Sequence, residues 1–432
     1  MKRTRPLGGV RLASIAVSVA AATVVAPAVG VAAVPGAEDG RWYVEATGLT
    51  ELHQRTTGAG ITIAVLDEAV NPAAADLVGA DVQPHEPSYC AAEPDGQAYP
   101  ATSTEALAKH TTSIATMLVG TDAGSGGAPG IPGVAPGATV RTYAIRYGDQ
   151  PCETPAGQEN YQDDAIRDAV AEGADIIAVP GAGRFTTDGI ADALRAGVIV
   201  VAAAGNDGEL TGLPAIANGV VTVGTVTSDV TLAEGSPNGP TLAAVAPGAR
   251  IRAMQADWST YGTTTGSSNA TAYTAGALAL LWSLYPDATD GQIIQALIHT
   301  TDAEVKETPT RETGWGYGTV SPRGLLSVDP TAYPDENPLL LDDGRAPLVS
   351  DVLGGGEPTA TPANDPDDAA ADDDAAAPDT PSDSGLPLGA VAGGAFGVLL
   401  IIGAVVAVVI IRRRRPTTDN DATHTTARGS HG

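Results

Sequence analysis

The chain predicts an α/β fold built on parallel strands, and two kinds of segment carry that expectation. Ile61-Thr62-Ile63-Ala64-Val65-Leu66 and the run Val198 to Ala204 are short, rich in β-branched residues and apolar throughout, as strands buried on both faces of a parallel sheet are. The segment from His110 to Leu118 instead spaces Ile114, Ala115, Met117 and Leu118 for one face of a buried helix, and the apolar run Ala277 to Trp282 reads as a second one. The chain has 432 residues. With its unusual ends set aside, about 290 residues remain, enough for one large domain with a sizeable core.

Each of these segments ends or begins on a residue with chemistry. The first strand run stops at Asp67, and the C-terminal edge of a strand is where open α/β sheets build their sites. Asp76 and Asp81 are competing acids, but neither follows a strand. Of the histidines His53, His85, His110, His299, His424 and His431, only His110 opens a helix-like segment. The second strand run stops at Gly205-Asn206-Asp207-Gly208, where an asparagine could aim its side-chain N–H at a developing oxyanion. Taken alone, Asn206 reads first as a turn residue beside glycines. Ser268 stands among small residues, Gly266-Ser267-Ser268-Asn269-Ala270, at the mouth of the second helix. Free N–H groups and the positive end of the helix dipole suit that place to negative charge. A plain N-cap would look the same. A serine needs a base to take its proton and a third group to orient that base, and His110 and Asp67 supply both.

The ordered set Asp67, His110, Asn206, Ser268 resembles the subtilisin-like serine proteases, whose triad runs Asp, His, Ser along the chain. Gly133-Val134-Ala135-Pro136-Gly137-Ala138, Val201 to Asn206, Val245-Ala246-Pro247-Gly248 and Gly266 to Ala270 are similar to further family segments. The resemblance spans Trp42 to Pro330. It implies a doubly wound, mostly parallel sheet with helices on both faces. It also implies Ser268 as nucleophile, His110 as base, Asp67 as its orienting acid and Asn206 in the oxyanion hole. Pro180, Gly181 and Gly183 fall on the segment that pairs with substrate, and no cofactor is required. Calcium stabilises many relatives, but no compact carboxylate loop specifies it here, and no metal ligands are assigned. Four positions depart from the family pattern. Glu68 stands where a hydroxyl residue usually follows the acid. Thr111 stands where Gly usually follows the histidine, with an expected cost of about 1 kcal/mol if its Cβ is crowded or its φ positive. Ala272 replaces a proline, and Pro180 removes an N–H from the substrate-pairing segment.

Residues 1–33 read as a signal peptide: Lys2, Arg3, Arg5 and Arg11, an apolar stretch from Leu12, and small residues around Val31-Ala32-Ala33. Residues 34–60 form an N-terminal extension and 61–330 the peptidase domain. Residues 331–385 are rich in Pro, Asp, Ala and Thr and read as a disordered, self-repelling linker. Residues 386–411 are almost wholly apolar and long enough to cross a bilayer, which takes roughly 20 residues. Arg412 to Arg415 follow directly, which assigns the tail 412–432 to the cytoplasm and the domain to the outside. The net charge of −28 argues against nucleic acid as a partner. Cys90 and Cys152 are the two cysteines of a chain expected to be exported, so a disulfide is expected between them.

The short stretch before the first strand leaves little room for a folding pro-domain. Together with the Trp42-Tyr43 start and the C-terminal anchor, it resembles the mycosin branch, the membrane-anchored proteases that accompany type VII secretion systems. The expected function is hydrolysis of a polypeptide substrate by a protease of the cell membrane. The alternative is a catalytically weak or inactive scaffold subunit that stabilises the secretion complex, favoured by Glu68, Thr111 and Pro180.

Overall fold

The computed structural model describes residues 38–354. Seven strands form one sheet: β1 (Thr62–Asp67), β2 (Val82–Pro84), β3 (Thr139–Ala144), β4 (Ile176–Val179), β5 (Ile199–Ala203), β6 (Val221–Val226) and β7 (Leu242–Pro247). Their spatial order is β2-β3-β1-β4-β5-β6-β7, and every neighbouring pair is parallel. An antiparallel ribbon, β8 (Ile251–Met254) with β9 (Tyr261–Thr264), lies outside it. The chain leaves β1 toward β3 on one side and reaches β4 on the other, so the C-terminal end of β1 is a switch point of the sheet.

Helices cover both faces, as expected. They are α1 (Trp42–Thr47), α2 (Leu49–Leu52), α3 (Lys109–Val119), α4 (Tyr161–Ala171), α5 (Thr187–Arg195), α6 (Ser267–Leu284), α7 (Asp290–His299), α8 (Pro322–Leu325) and α9 (Val349–Leu353). Strand side chains alternate between two cores because successive residues point to opposite faces. Ile63 and Val65 of β1 and Val201 of β5 join the core built with α3 and α6. Ala64, Leu66 and Ala202 join the one built with α4 and α5. This is why the strand runs are apolar without interruption. Helix α6 is buried almost all round from Ser267 to Trp282, which accounts for a sequence with no polar stripe.

The extension before β1 is laced onto the domain. Trp42 Nε1 donates to the Ala249 carbonyl at 3.0 Å, and Tyr43 OH donates to the Pro132 carbonyl at 2.8 Å. The Tyr43 ring meets Tyr273 of α6 edge-on at 6.2 Å. At Gly40, with φ +81°, a Cβ would lie 2.4 Å from the Arg252 nitrogen, so only glycine admits the close approach to β8.

The stretch from 331 to 354 differs from the linker expected there. Asn218 Nδ2 donates to the carbonyls of Leu341 (2.8 Å) and Pro347 (3.1 Å), while its Oδ1 accepts from Leu341 N–H at 2.9 Å. Asn337 Nδ2 reaches the Gly219 carbonyl at 2.9 Å, and α9 packs on α5 with Val352 buried. Backbone capture by two asparagines holds a segment whose apolar content is too low to announce itself. No helix among the described residues is long and apolar enough to cross a membrane. The expected signal peptide (1–33), membrane span (386–411) and cytoplasmic tail (412–432) lie outside the described residues, as does the rest of the expected linker.

Candidate active site

Asp67 is the last residue of β1 and is fully buried at the switch point of the sheet. Its Oδ2 accepts from Nδ1 of His110 at 2.5 Å and from the hydroxyl of Thr111 at 3.0 Å. Its Oδ1 pairs with the guanidinium of Arg146, two residues beyond β3. Burial pushes the Asp67 carboxyl upward, but the pairing with His110 and Arg146 overrides it and holds the pKa at about 2. His110 stands in the first turn of α3, with its side chain 37% exposed. The Asp67 carboxylate raises its pKa above the ordinary histidine value, against the opposing effects of burial and Arg146. The bond to Nδ1 leaves Nε2 as the nitrogen available to a substrate-side hydroxyl.

Of the two sources of cost named for Thr111, a positive φ is absent. The residue lies inside α3 and is fully buried. Its hydroxyl accepts from the Glu68 N–H at 2.8 Å and lies 2.9 Å from the Glu68 carbonyl, besides reaching Asp67. The hydroxyl absent from position 68 is therefore supplied from position 111. Glu68 itself is half-buried, and its pKa is raised first by burial and then by Asp67.

Ser268 lies in the first turn of α6, which packs against α3. No side chain of its own first turn caps this helix. Asn206, just past β5, does so from across the sheet: its Oδ1 accepts from Ser267 N–H at 2.8 Å and lies 3.3 Å from Ser267 Oγ. Ser267 Oγ in turn accepts from Gly205 N–H at 3.0 Å. This fixes which end of the Asn206 amide faces outward. Its Nδ2 and the Ser268 N–H have no acceptor among the described residues. A Cβ built on Gly266 would lie 3.3 Å from Ser268 Oγ and 3.4 Å from both Nδ2 and Oδ1 of Asn206, so the Ser268 hydroxyl and the Asn206 amide border one small space. No hydrogen bond joins Ser268 Oγ to His110 among the described residues; such contacts often tighten only with substrate bound.

The segment after β4 borders the same region. A Cβ at Gly181 would meet the Arg146 guanidinium at 3.0 Å. One at Gly183 would collide with Phe185 and with Gln162, whose Oε1 accepts from Arg184 N–H. Pro180 is buried and closes β4. Cys90 and Cys152 form a disulfide, with Cα atoms 4.4 Å apart. Beside it Ala91 and Glu153 exchange backbone hydrogen bonds of 2.9 and 3.0 Å, and Tyr99 stacks on Tyr147 at 4.3 Å. The loop between β2 and α3 and the loop between β3 and α4 are thus joined into one body, as the expected bond would do. Among the described residues no group of His, Cys, Asp and Glu is arranged to hold a metal.

The subtilase family model matches residues 58–316, more than half of the chain. The chain belongs to the subtilase family. This subtilase is 30% identical to subtilisin E of Bacillus subtilis (strain 168) over 256 residues, covering 57% of the chain and 62% of that relative. It is 31% identical over 201 residues to the major intracellular serine protease of the same organism, covering 43% of the chain and 61% of the relative. It therefore spans less than two thirds of the length of these curated relatives. Among solved structures, the MycP3 protease from the type VII (ESX-3) secretion system superposes with a TM-score of 0.53 at 24% identity, covering 68% of this chain and 91% of that one. Fervidolysin from Fervidobacterium pennivorans gives 0.52 at 23%, covering 68% and 47%. At these identities the two structures speak for the fold.

Sequence reasoning missed Arg146. An arginine two residues past a strand, in the run Ala144-Ile145-Arg146-Tyr147, carries no periodic signal and reads as a solvated charge.

Proposed function

We propose that the chain is a serine endopeptidase in which Ser268, His110 and Asp67 act as a triad and Asn206 with the Ser268 N–H receives the oxyanion. The observation that carries this reading is the orientation of Asn206. By capping α6 with its oxygen, it leaves its N–H₂ and the Ser268 N–H as two free donors beside the Ser268 hydroxyl. His110 Nε2 takes the proton of Ser268 as Oγ attacks the scissile carbonyl carbon, and the two donors hold the resulting oxyanion. Collapse transfers that proton to the leaving amine and leaves an acyl-enzyme. A water then repeats the sequence and frees Ser268.

The finer reading is a protein of the cell membrane, with this domain on the extracytoplasmic side and the span at 386–411. It rests on the N-terminal basic-apolar pattern and on the apolar run followed by Arg412 to Arg415. Association with a type VII secretion system draws support from the fold shared with the MycP3 protease and from the laced N-terminal extension. A fluorophosphonate probe tests the chemistry. Labelling of the wild type that is lost in Ser268→Ala supports hydrolysis. A folded wild type that stays unlabelled from pH 6 to 9 favours the scaffold reading, to which the missing N–H at Pro180 points.

A further inference from the structure

Arg146 is attached to Asp67 twice. Its backbone N–H donates to the Asp67 carbonyl at 3.0 Å, next to a 2.8 Å bond from Ile145, and its guanidinium pairs with Asp67 Oδ1. The same guanidinium lies 3.0 Å from where a Cβ of Gly181 would be, so it also abuts the segment after β4. Its position is buttressed from behind: Tyr147 stacks on Tyr99, and Cys152 is bonded to Cys90. Glu68, next along the chain, lies within electrostatic reach of Asp67, Arg146 and His110, its N–H is held by the same Thr111 hydroxyl that reaches Asp67, and no hydrogen bond to its own carboxylate oxygens is present among the described residues.

From this arrangement, and resting on the triad reading above, we propose that Arg146 is a positioning residue that clamps the second oxygen of Asp67 and, with Glu68 as its counterweight, sets the basicity of His110. A lone buried carboxylate would make the imidazole strongly basic and keep it protonated, hence useless as a base, over much of the neutral range. A guanidinium on the far oxygen withdraws part of that pull. Glu68, one residue along, restores some of it. The shifts agree in sign: Asp67 raises His110 most, burial and Arg146 oppose it, and Glu68 adds to the rise. The charged groups facing His110 are Asp67 and Glu68 from the end of β1 and Arg146 from beyond β3. Lys109 on its own helix turns away to Gln255 Oε1 at 3.1 Å, and Asp149 acts on Glu68. The first turn of α6 brings Ser267, Ser268 and Asn269, which carry no charge.

The decisive measurement is the titration of His110 in the full chain, by NMR of ¹⁵N-labelled imidazoles, with its signal identified by its loss in His110→Gln. Arg146→Met should raise the His110 midpoint by up to about one pH unit, the lower end of what a neighbouring charge does. Arg146→Lys should return it most of the way. Glu68→Gln should move it downward, a reversal of sign that loosened packing would not produce. An unmoved midpoint in Arg146→Met, or shifts of the same sign in Arg146→Met and Glu68→Gln, overturns the proposal. If Arg146→Met does not fold, Arg146→Lys and Glu68→Gln carry the test alone, and an unmoved midpoint in Glu68→Gln overturns it. Titration does not depend on whether Ser268 reacts, so a wild type that titrates as expected but resists the fluorophosphonate would sink only the hydrolase reading. Where labelling occurs, the acid limb of its rate should follow the same midpoints.

Discussion

Asn206 illustrates how one side chain can do two jobs without conflict. Its oxygen substitutes for a missing N-cap on α6, and that engagement points its nitrogen at the space beside Ser268. Asn206→Ala should therefore lower kcat by about 10²–10³ with little change in KM, since the lost donor is felt mainly when the oxyanion forms. Asn206→Asp should fare no better, because the carboxylate brings acceptors where a donor is needed. Thr111→Val should destabilise the fold by about 1–3 kcal/mol, leaving the Glu68 N–H buried without its acceptor, as a thermal melt would show. The Asp67–His110 pair also gives stability a defined pH window. Asp67 is depressed to about 2, so its contribution is complete above the unfolded value near 4 and fades as pH falls toward 2. His110 is raised, so its contribution is complete below about 6.5 and is lost as pH rises through the folded value. Unfolding free energies measured from pH 2 to 9 should show a maximum between those limits that flattens in His110→Gln.

What could be read from the chain follows from how each element signals itself. Strands β1 and β5 and helices α3 and α6 are buried on all sides or on one clear face, so their runs are uninterrupted or regularly spaced, and Asp67, Asn206, His110 and Ser268 sit at their ends. Arg146 and the hydroxyl of Thr111 act through contacts with residues dozens of positions away, and nothing in their own neighbourhood encodes that. The two loops before α3 and α4 lack periodicity because they are held by a cross-link and a backbone bridge rather than by a core. Breaking that link with Cys90→Ser and Cys152→Ser should lower stability by about 4 kcal/mol, the chain-entropy figure for a loop of 62 residues, and a denaturant titration would measure it.

Across the whole molecule, the domain extends at both ends past the strands that define it. Trp42 and Tyr43 dock the entry segment onto the β8 side and onto α6, and Asn218 and Asn337 dock the exit segment onto the opposite core. A chain ended after Pro330 should therefore melt several degrees below one ended after Gly354, since Asn218 and Gly219 would each lose partners that are now buried.

An enzyme that cuts polypeptides lives among copies of itself, and irregular surface stretches are the first to be nicked. Here the stretch between β2 and α3 and the one between β3 and α4, which begins beside Arg146, are stapled together by sulfur, by reciprocal main-chain pairing and by a tyrosine stack. On the proposed reading as a protease, reducing that bond would turn the same stretches into the preferred places of self-digestion, so the lifetime of the protein would be tied to the oxidation state of one sulfur pair.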